Sequence, residues 1–189
     1  MTRDGAHDVA DTGADLRTVS SKVVYQSPWM RVREDQFERA DGTGGVYGVV
    51  DKPDFAIVLA TQDGFFHLVE QFRYPIGRRS WEFPMGGWPP GAGGSSLELA
   101  KAELREETGL TAGRWRALGH LYEATGFCSQ GFDIFHATDL TSGDHAREET
   151  EADMVHRRFS EAEVRAMIVD GTIVDAATVA AYGLWVLQA

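Results

Sequence analysis

Apolar and polar positions alternate along the first half of the chain, and the alternation sets out a series of short strands. Residues 22–26, Lys-Val-Val-Tyr-Gln, have strand composition and are closed by Ser27-Pro28. Residues 29–39 place Met30, Val32 and Phe37 between polar neighbours, which predicts a half-exposed strand. Asp41-Gly42-Thr43-Gly44-Gly45 is a hairpin-type turn, and residues 46–50 return from it. Residues 55–60, Phe-Ala-Ile-Val-Leu-Ala, are apolar without a break; a run of that length with no polar side predicts a central strand. Asp63-Gly64 turns the chain into a partner strand over 65–73, and Trp81-Glu82-Phe83 is a further short strand stopped by Pro84.

The period then changes. After the loop Pro89-Pro90-Gly91-Ala92-Gly93-Gly94, Leu97, Ala100 and Leu104 recur at helical spacing. Ser95 or Ser96 is the N-cap, Ser95 and Glu98 have capping-box spacing, and Gly109 is a natural terminator. Strands are predicted over 115–123, 132–138 and 154–159, with a polar, acidic loop over 139–152. Helices follow over 160–170, with Ser160 as N-cap, and over 175–188. There is no internal repeat. Several strands, one central helix and two C-terminal helices make an α+β domain of α/β/α layers. Residues 1–19 are expected to be a flexible tail, 20–52 a unit of N-terminal strands, and 53–189 the main domain.

Composition narrows the function. The chain has 189 residues, enough for one domain with a proper core. Eighteen basic against 29 acidic residues leave a net charge of −11, which argues against nucleic acid as a partner, since a duplex needs a basic face. A small phosphorylated ligand remains open, because a bound metal can reverse the local field. No apolar run approaches the ~20 residues of a membrane span, and residues 1–17 lack the apolar stretch of a secretory signal. With Cys128 as the single cysteine no intrachain disulfide can form, and the cytoplasm is the expected compartment.

The chemistry concentrates in Ala-Glu-Leu-Arg-Glu-Glu-Thr-Gly-Leu, residues 102–110. Glu103, Glu106 and Glu107 are spaced i, i+3, i+4 and share one side of a helix, where like charges cost a few tenths of a kcal/mol per pair. Such a cluster is either a solvated stripe or a holder of a hard divalent cation, Mg²⁺ or Mn²⁺. Pro84-Met85-Gly86-Gly87 brings backbone close to the helix start, where a carbonyl can complete a metal shell. Carboxylates for a general base are available at Glu148, Glu149, Glu151 and Asp153. The six histidines lack zinc-type spacing, Cys128 reads as a packed thiol, and Gly91-Ala92-Gly93-Gly94 is no phosphate-binding loop.

These residues resemble the Nudix box, G-x5-E-x7-R-E-U-x-E-E-x-G-U with U aliphatic. Glu103, Leu104, Glu106, Glu107, Gly109 and Leu110 fall on its second half without a gap. Glu70-Gln71-Phe72-Arg73-Tyr74-Pro75, the run from Trp81 to Gly86, the acidic loop over 148–153 and the ending from Asp170 to Ala176 are similar to the ADP-ribose pyrophosphatase subgroup. The first half departs: Ala102 stands where the family has Arg, Gly94 where it has its first Glu, and matching the leading Gly to Gly86 requires two extra loop residues. The family Arg orients the metal-binding carboxylates; Arg105 or Lys101 lies close enough in sequence to substitute.

The resemblance implies a Nudix fold, an α/β/α sandwich with a mixed sheet plus N-terminal antiparallel strands. It implies metal ligation by Glu103 and Glu107 with Glu106 adjacent, a backbone carbonyl from Met85, and a catalytic base at Glu149, with Glu151 second; Glu107 counts as catalytic as well as metal-binding. Arg73 and Glu82 match substrate-pocket positions, and Gly86 is expected to bind substrate with them. The subgroup forms homodimers whose N-terminal strands help build the partner's site, which makes Trp29 a candidate to stack an adenine; packing on a strand face or in a dimer interface is its plain alternative. The implied reaction is metal-dependent hydrolysis of a nucleoside diphosphate linked to another group, ADP-ribose first, giving AMP and ribose 5-phosphate. Ala102 and Gly94 keep one alternative open, a catalytically weakened nucleotide-binding or regulatory module; pocket residues spread over separated loops keep a second, a Nudix hydrolase of another substrate such as an NDP-sugar or NTP.

Overall fold

The computed structural model describes residues 16–143 and 153–188. Three strands form an N-terminal antiparallel sheet: β1 (Leu16–Gln26), β2 (Arg31–Arg39) and β3 (Gly44–Asp51). β1 starts at Leu16, inside the stretch expected to be tail, because β2 extends to Arg39 and offers it a partner: Leu16 pairs with Arg39, and Arg17 meets Glu38 at 2.9 Å. All of β1 is exposed. The sheet is tied to the rest through the end of β3. Val50 N donates to Phe127 O (2.7 Å), Ser129 N donates to Val50 O (2.9 Å), and the Tyr47 hydroxyl donates to Gly126 O (2.8 Å).

The main sheet contains β4 (Phe55–Gln62), β5 (Phe65–Arg73), β6 (Arg78–Glu82), β7 (Met85–Gly86), β8 (Leu110–Tyr122), β9 (Gly131–Ser142) and β10 (Val155–Ser160), with path order β10-β5-β4-β9-β8. β4 and β9 run parallel and the other pairs antiparallel, so the sheet is mixed. β8 and β9 run longer than expected, to Leu110 and Ser142, because each supplies the other's hydrogen-bond partner over that whole length.

The unbroken apolar run of β4 is explained by its two faces. Ile57 and Leu59 pack with Phe66, Leu68 and Ile134 beneath α2 (Glu161–Val169) and α3 (Ala176–Leu187). Ala56, Val58 and Ala60 pack with Leu99, Ala100 and Leu104 of α1 (Ser96–Thr108). The molecule is therefore an α/β/α sandwich, as the layering of the sequence predicts. Among the described residues no helix is long and apolar enough to cross a membrane.

One irregularity makes room for a site. β4 and β5 pair only near their shared turn, at Ala60–Gln62 with Phe65–His67. Beyond it they splay apart. β6 follows β5 from Arg73 to Val69, while β7 joins β4 through Ala56↔Gly86 and Ile57↔Met85. The chain between them, a single 3-10 turn at Tyr74–Ile76 and then β6, forms the mouth of the gap.

Candidate active site

A cavity of about 510 Å³ opens at the splayed end, within the range of ligand pockets, ~300–1,000 Å³. Its walls come from separate parts of the chain: Arg73 and Glu82 of the β5–β6 pair, Met85 and Gly86 of β7, Lys52 after β3, and Asp175 before α3.

α1 brings Glu103 and Glu107 against Gly86 and Met85 in the wall of this cavity. Its start is fixed by the expected capping box: Ser95 N donates to Glu98 Oε2 (2.8 Å), and Glu98 N donates to Ser95 Oγ (3.2 Å). A cap of this kind is worth about 1 kcal/mol, more than the repulsion between neighbouring helix carboxylates. Gly109 ends the helix with φ 72°, a conformation that favours glycine. In between, Glu107 is 1% and Glu103 is 8% exposed. Met85 N donates to Glu107 Oε2 at 3.1 Å. Gly86 lies directly against Glu103: a Cβ at position 86 would stand 2.5–2.6 Å from the carboxylate atoms. The Gly-Gly segment read as a close backbone approach is thus a short strand packed on the acidic face of α1.

Glu106 faces elsewhere. On a 3.6-residue helix it sits ~100° around from Glu107, and it lines a second cavity, of about 450 Å³, with Lys101, Ala102, Arg105 and Trp115. Ala102 opens on the same cavity. Among the described residues, no three His, Cys, Asp or Glu side chains are grouped so as to hold a metal. Mg²⁺ commonly takes only one or two carboxylates and fills its shell with phosphate oxygens and water. The buried pair Glu103 and Glu107, all-oxygen and next to backbone, fits such an ion.

Arg73 and Glu82, matched to the pocket by their motif, are joined to each other. Arg73 Nε donates to Glu82 Oε1 (3.0 Å) and Oε2 (2.9 Å), and Arg73 Nη2 donates to Oε2 as well. Glu82 is 1% exposed. Burial pushes its carboxyl above the ordinary carboxylate range, and the hydrogen bonds and charge of Arg73 pull it part of the way back. Burial works against the Arg73 charge, but the Glu82 hydrogen bonds and the negative charges of Glu82, Asp175 and Glu107 outweigh it, so the guanidinium is held firmly charged. Arg73 therefore sits within the field of the Glu107 carboxylate.

Asp175 caps α3 by accepting from Thr178 N (2.6 Å), and Thr178 Oγ1 accepts from Phe83 N (3.1 Å), which anchors the segment between Glu82 and Met85. Trp29 does not line this cavity; it is 60% exposed near the β1–β2 turn. Glu148, Glu149 and Glu151 lie outside the described residues. Sequence reasoning missed Lys52, Gln130 and Asp175 as cavity residues. Lys52-Pro53 after a strand and an Asp at N-cap spacing were visible, but only the fold shows that both face one space.

Comparison with known proteins agrees with this fold. Residues 17–50 match the family described as nucleoside diphosphate sugar hydrolase N-terminal domain. The chain is 32% identical over 173 residues to an ADP-ribose pyrophosphatase of Mycobacterium tuberculosis, covering 88% of this chain and 81% of that protein. It is 28% identical over 140 residues to an ADP-ribose pyrophosphatase of Bacillus subtilis, covering 74% and 75%. Its fold superposes on a crystal structure titled ADP compounds hydrolase with a TM-score of 0.82 at 21% identity, over 93% of this chain and 94% of that one. With the Nudix-box sequence on α1, a splayed mixed sheet and relatives of this kind along nearly its whole length, the chain belongs to the Nudix hydrolases, in the ADP-ribose pyrophosphatase-like subgroup.

Proposed function

We propose that the protein hydrolyses ADP-ribose to AMP and ribose 5-phosphate in the cytoplasm, with Mg²⁺ or Mn²⁺ held by Glu103 and Glu107. The observation that carries this is the burial of those two carboxylates together under Met85 and Gly86 at the edge of the cavity. The Met85 carbonyl is the backbone ligand in this reading, and Glu106 contributes at the periphery. A divalent ion there supplies neutralisation of phosphate charge and a sharper water nucleophile. Water attacks one phosphorus, the bond to the bridging oxygen breaks, and the other phosphate leaves with that oxygen. Glu149, with Glu151 as second choice, takes the proton of the attacking water. Arg73, locked by Glu82, orients the phosphates with the N–H groups that Glu82 leaves over.

A second copy of the chain is the proposed partner of the N-terminal sheet. β1 is exposed along its length, and Val23, Val24, Tyr25, Trp29, Met30 and Val46 are all open to solvent. Apolar exposure on that scale marks an association surface. In a homodimer Trp29 would reach the partner's cavity and stack on the adenine.

The test is a panel of ADP-ribose, other NDP-sugars and NTPs with Mg²⁺ or Mn²⁺, read as phosphate released after phosphatase coupling. ADP-ribose should have the highest kcat/KM. No release from any member would favour the binding-module reading that Ala102 raises.

Gly86→Ala is a sharper probe of the metal side. The new Cβ would displace the Glu103 carboxylate, which is the mobile end of its side chain, so the fold should survive. The metal concentration for half-maximal activity should rise about 10–100-fold, as when other groups that orient metal ligands are disturbed. An unchanged metal requirement would remove Glu103 from the site.

A further inference from the structure

Two described cations line the cavity, Lys52 and Arg73. Arg73 is committed to Glu82 through Nε and Nη2. Lys52 makes no ion pair or side-chain hydrogen bond among the described residues, although acidic residues flank it in sequence at Asp51 and Asp54. Both of those are engaged elsewhere. Asp51 Oδ2 accepts from Arg31 Nε (3.1 Å) and Arg33 Nε (3.0 Å), and Asp54 Oδ1 accepts from Gly131 N (2.7 Å). Pro53 O accepts from Gln130 Nε2 at 2.7 Å. The backbone on either side of Lys52 is thus pinned, to β2 on one side and to the start of β9 on the other. A flexible ammonium on a fixed base, beside a cavity and with its sequence-neighbour carboxylates already occupied, is a cation without a counter-ion among the described residues.

The rest of the cavity wall gives that cation a task. Glu82, Glu123 and Asp175 line the same space, and Glu103 and Glu107 touch Gly86 and Met85 of its wall. A nucleoside diphosphate entering this acidic setting needs positive charge beyond one divalent ion. We propose that Lys52 is a substrate-binding residue that reads the charge of the diphosphate and sets affinity for it. This rests on the reading of the cavity as a nucleoside diphosphate site. An ammonium acts as a point charge and not as a shaped fork, so Arg should serve nearly as well here, unlike at a bidentate site.

The test uses the full-length protein and two substitutions, Lys52→Met and Lys52→Arg. Equilibrium binding of ADP is measured by calorimetry in EDTA, where no metal contributes. Loss of one charge-assisted contact should raise the ADP Kd of Lys52→Met about tenfold, and Lys52→Arg should stay within about threefold of wild type. With ADP-ribose and Mg²⁺, Lys52→Met should raise KM by a similar factor with kcat within about twofold, and the salt dependence of KM should be shallower. ADP binding equal in all three proteins, or absent from wild type, overturns the proposal. So does a fall in kcat at constant KM. Wild-type protein that binds ADP through Lys52 but hydrolyses no substrate would overturn the proposed reaction and leave Lys52 in place.

Discussion

Glu107→Gln is expected to lower metal-dependent turnover about a thousandfold, the scale on which losing a central electrostatic group costs ~3–4 kcal/mol of barrier. The side chain keeps its shape, and an amide oxygen can still accept from Met85 N, so the local hydrogen bond survives. What goes is the negative charge that a hard cation requires. Glu103→Gln should behave alike, since the two carboxylates are buried side by side against the same short strand. Glu106→Gln should lose less, because Glu106 opens on the other cavity. Thermal unfolding of the metal-free variants should stay within a few degrees of wild type, because the change is isosteric. Turnover at wild-type rate in both Glu103→Gln and Glu107→Gln would refute the metal assignment.

The second large effect concerns stability. Arg73→Met leaves Glu82 as a carboxylate buried without its ion-pair partner. Breaking a buried pair from one side costs about 3–5 kcal/mol. The Arg73 side chain is 38% exposed and Glu82 can take up a proton, so the lower end, about 3 kcal/mol, is expected. Against a total stability of ~5–15 kcal/mol that is a serious loss. The sign with pH is fixed. Without Arg73 the Glu82 pKa in the folded state rises further above its unfolded value, so the folded protein binds the extra proton. The variant's deficit should be full above the elevated pKa and shrink as pH falls through it. Arg73→Met/Glu82→Met should recover most of the loss, because two apolar groups leave no orphaned charge. Urea midpoints at pH 7.5 and 5 measure all of this. A deficit independent of pH would mean that packing, not the ion pair, accounts for it.

The sequence made α1 legible almost to the residue, because its limits are local chemistry: a Ser95–Glu98 box at one end and a left-handed Gly109 at the other. β4 was legible as central for the same kind of reason, since a strand buried on both faces carries no polar alternation. Strand ends were less so. Whether β1 starts at Leu16 or near Ser20 depends on how far β2 extends, which is a fact about a partner. The site divides in the same way. Spacing put Glu103, Glu106 and Glu107 on one side of a helix, but only β7 decides that two of them are covered and the third faces away. Lys52 and Asp175 carry no motif; they share a cavity because β4 and β5 part company, and no local pattern encodes that gap.

The parallel pairing of β4 with β9 also has a kinetic side. Ala60 faces Ala137 and Phe55 faces Phe132, partners separated by most of the domain's sequence. Closing so long a loop costs entropy that no local contact repays at once, so this pairing is expected to limit the folding rate. The β4–β5 and β8–β9 hairpins can form earlier from neighbouring residues. The cavity draws on Phe55 from one side of that late pairing and on Glu123 and Gln130 from the other. A chain interrupted before the two halves meet would hold a well-formed α1 and, on the proposed function, no place to bring a substrate to it.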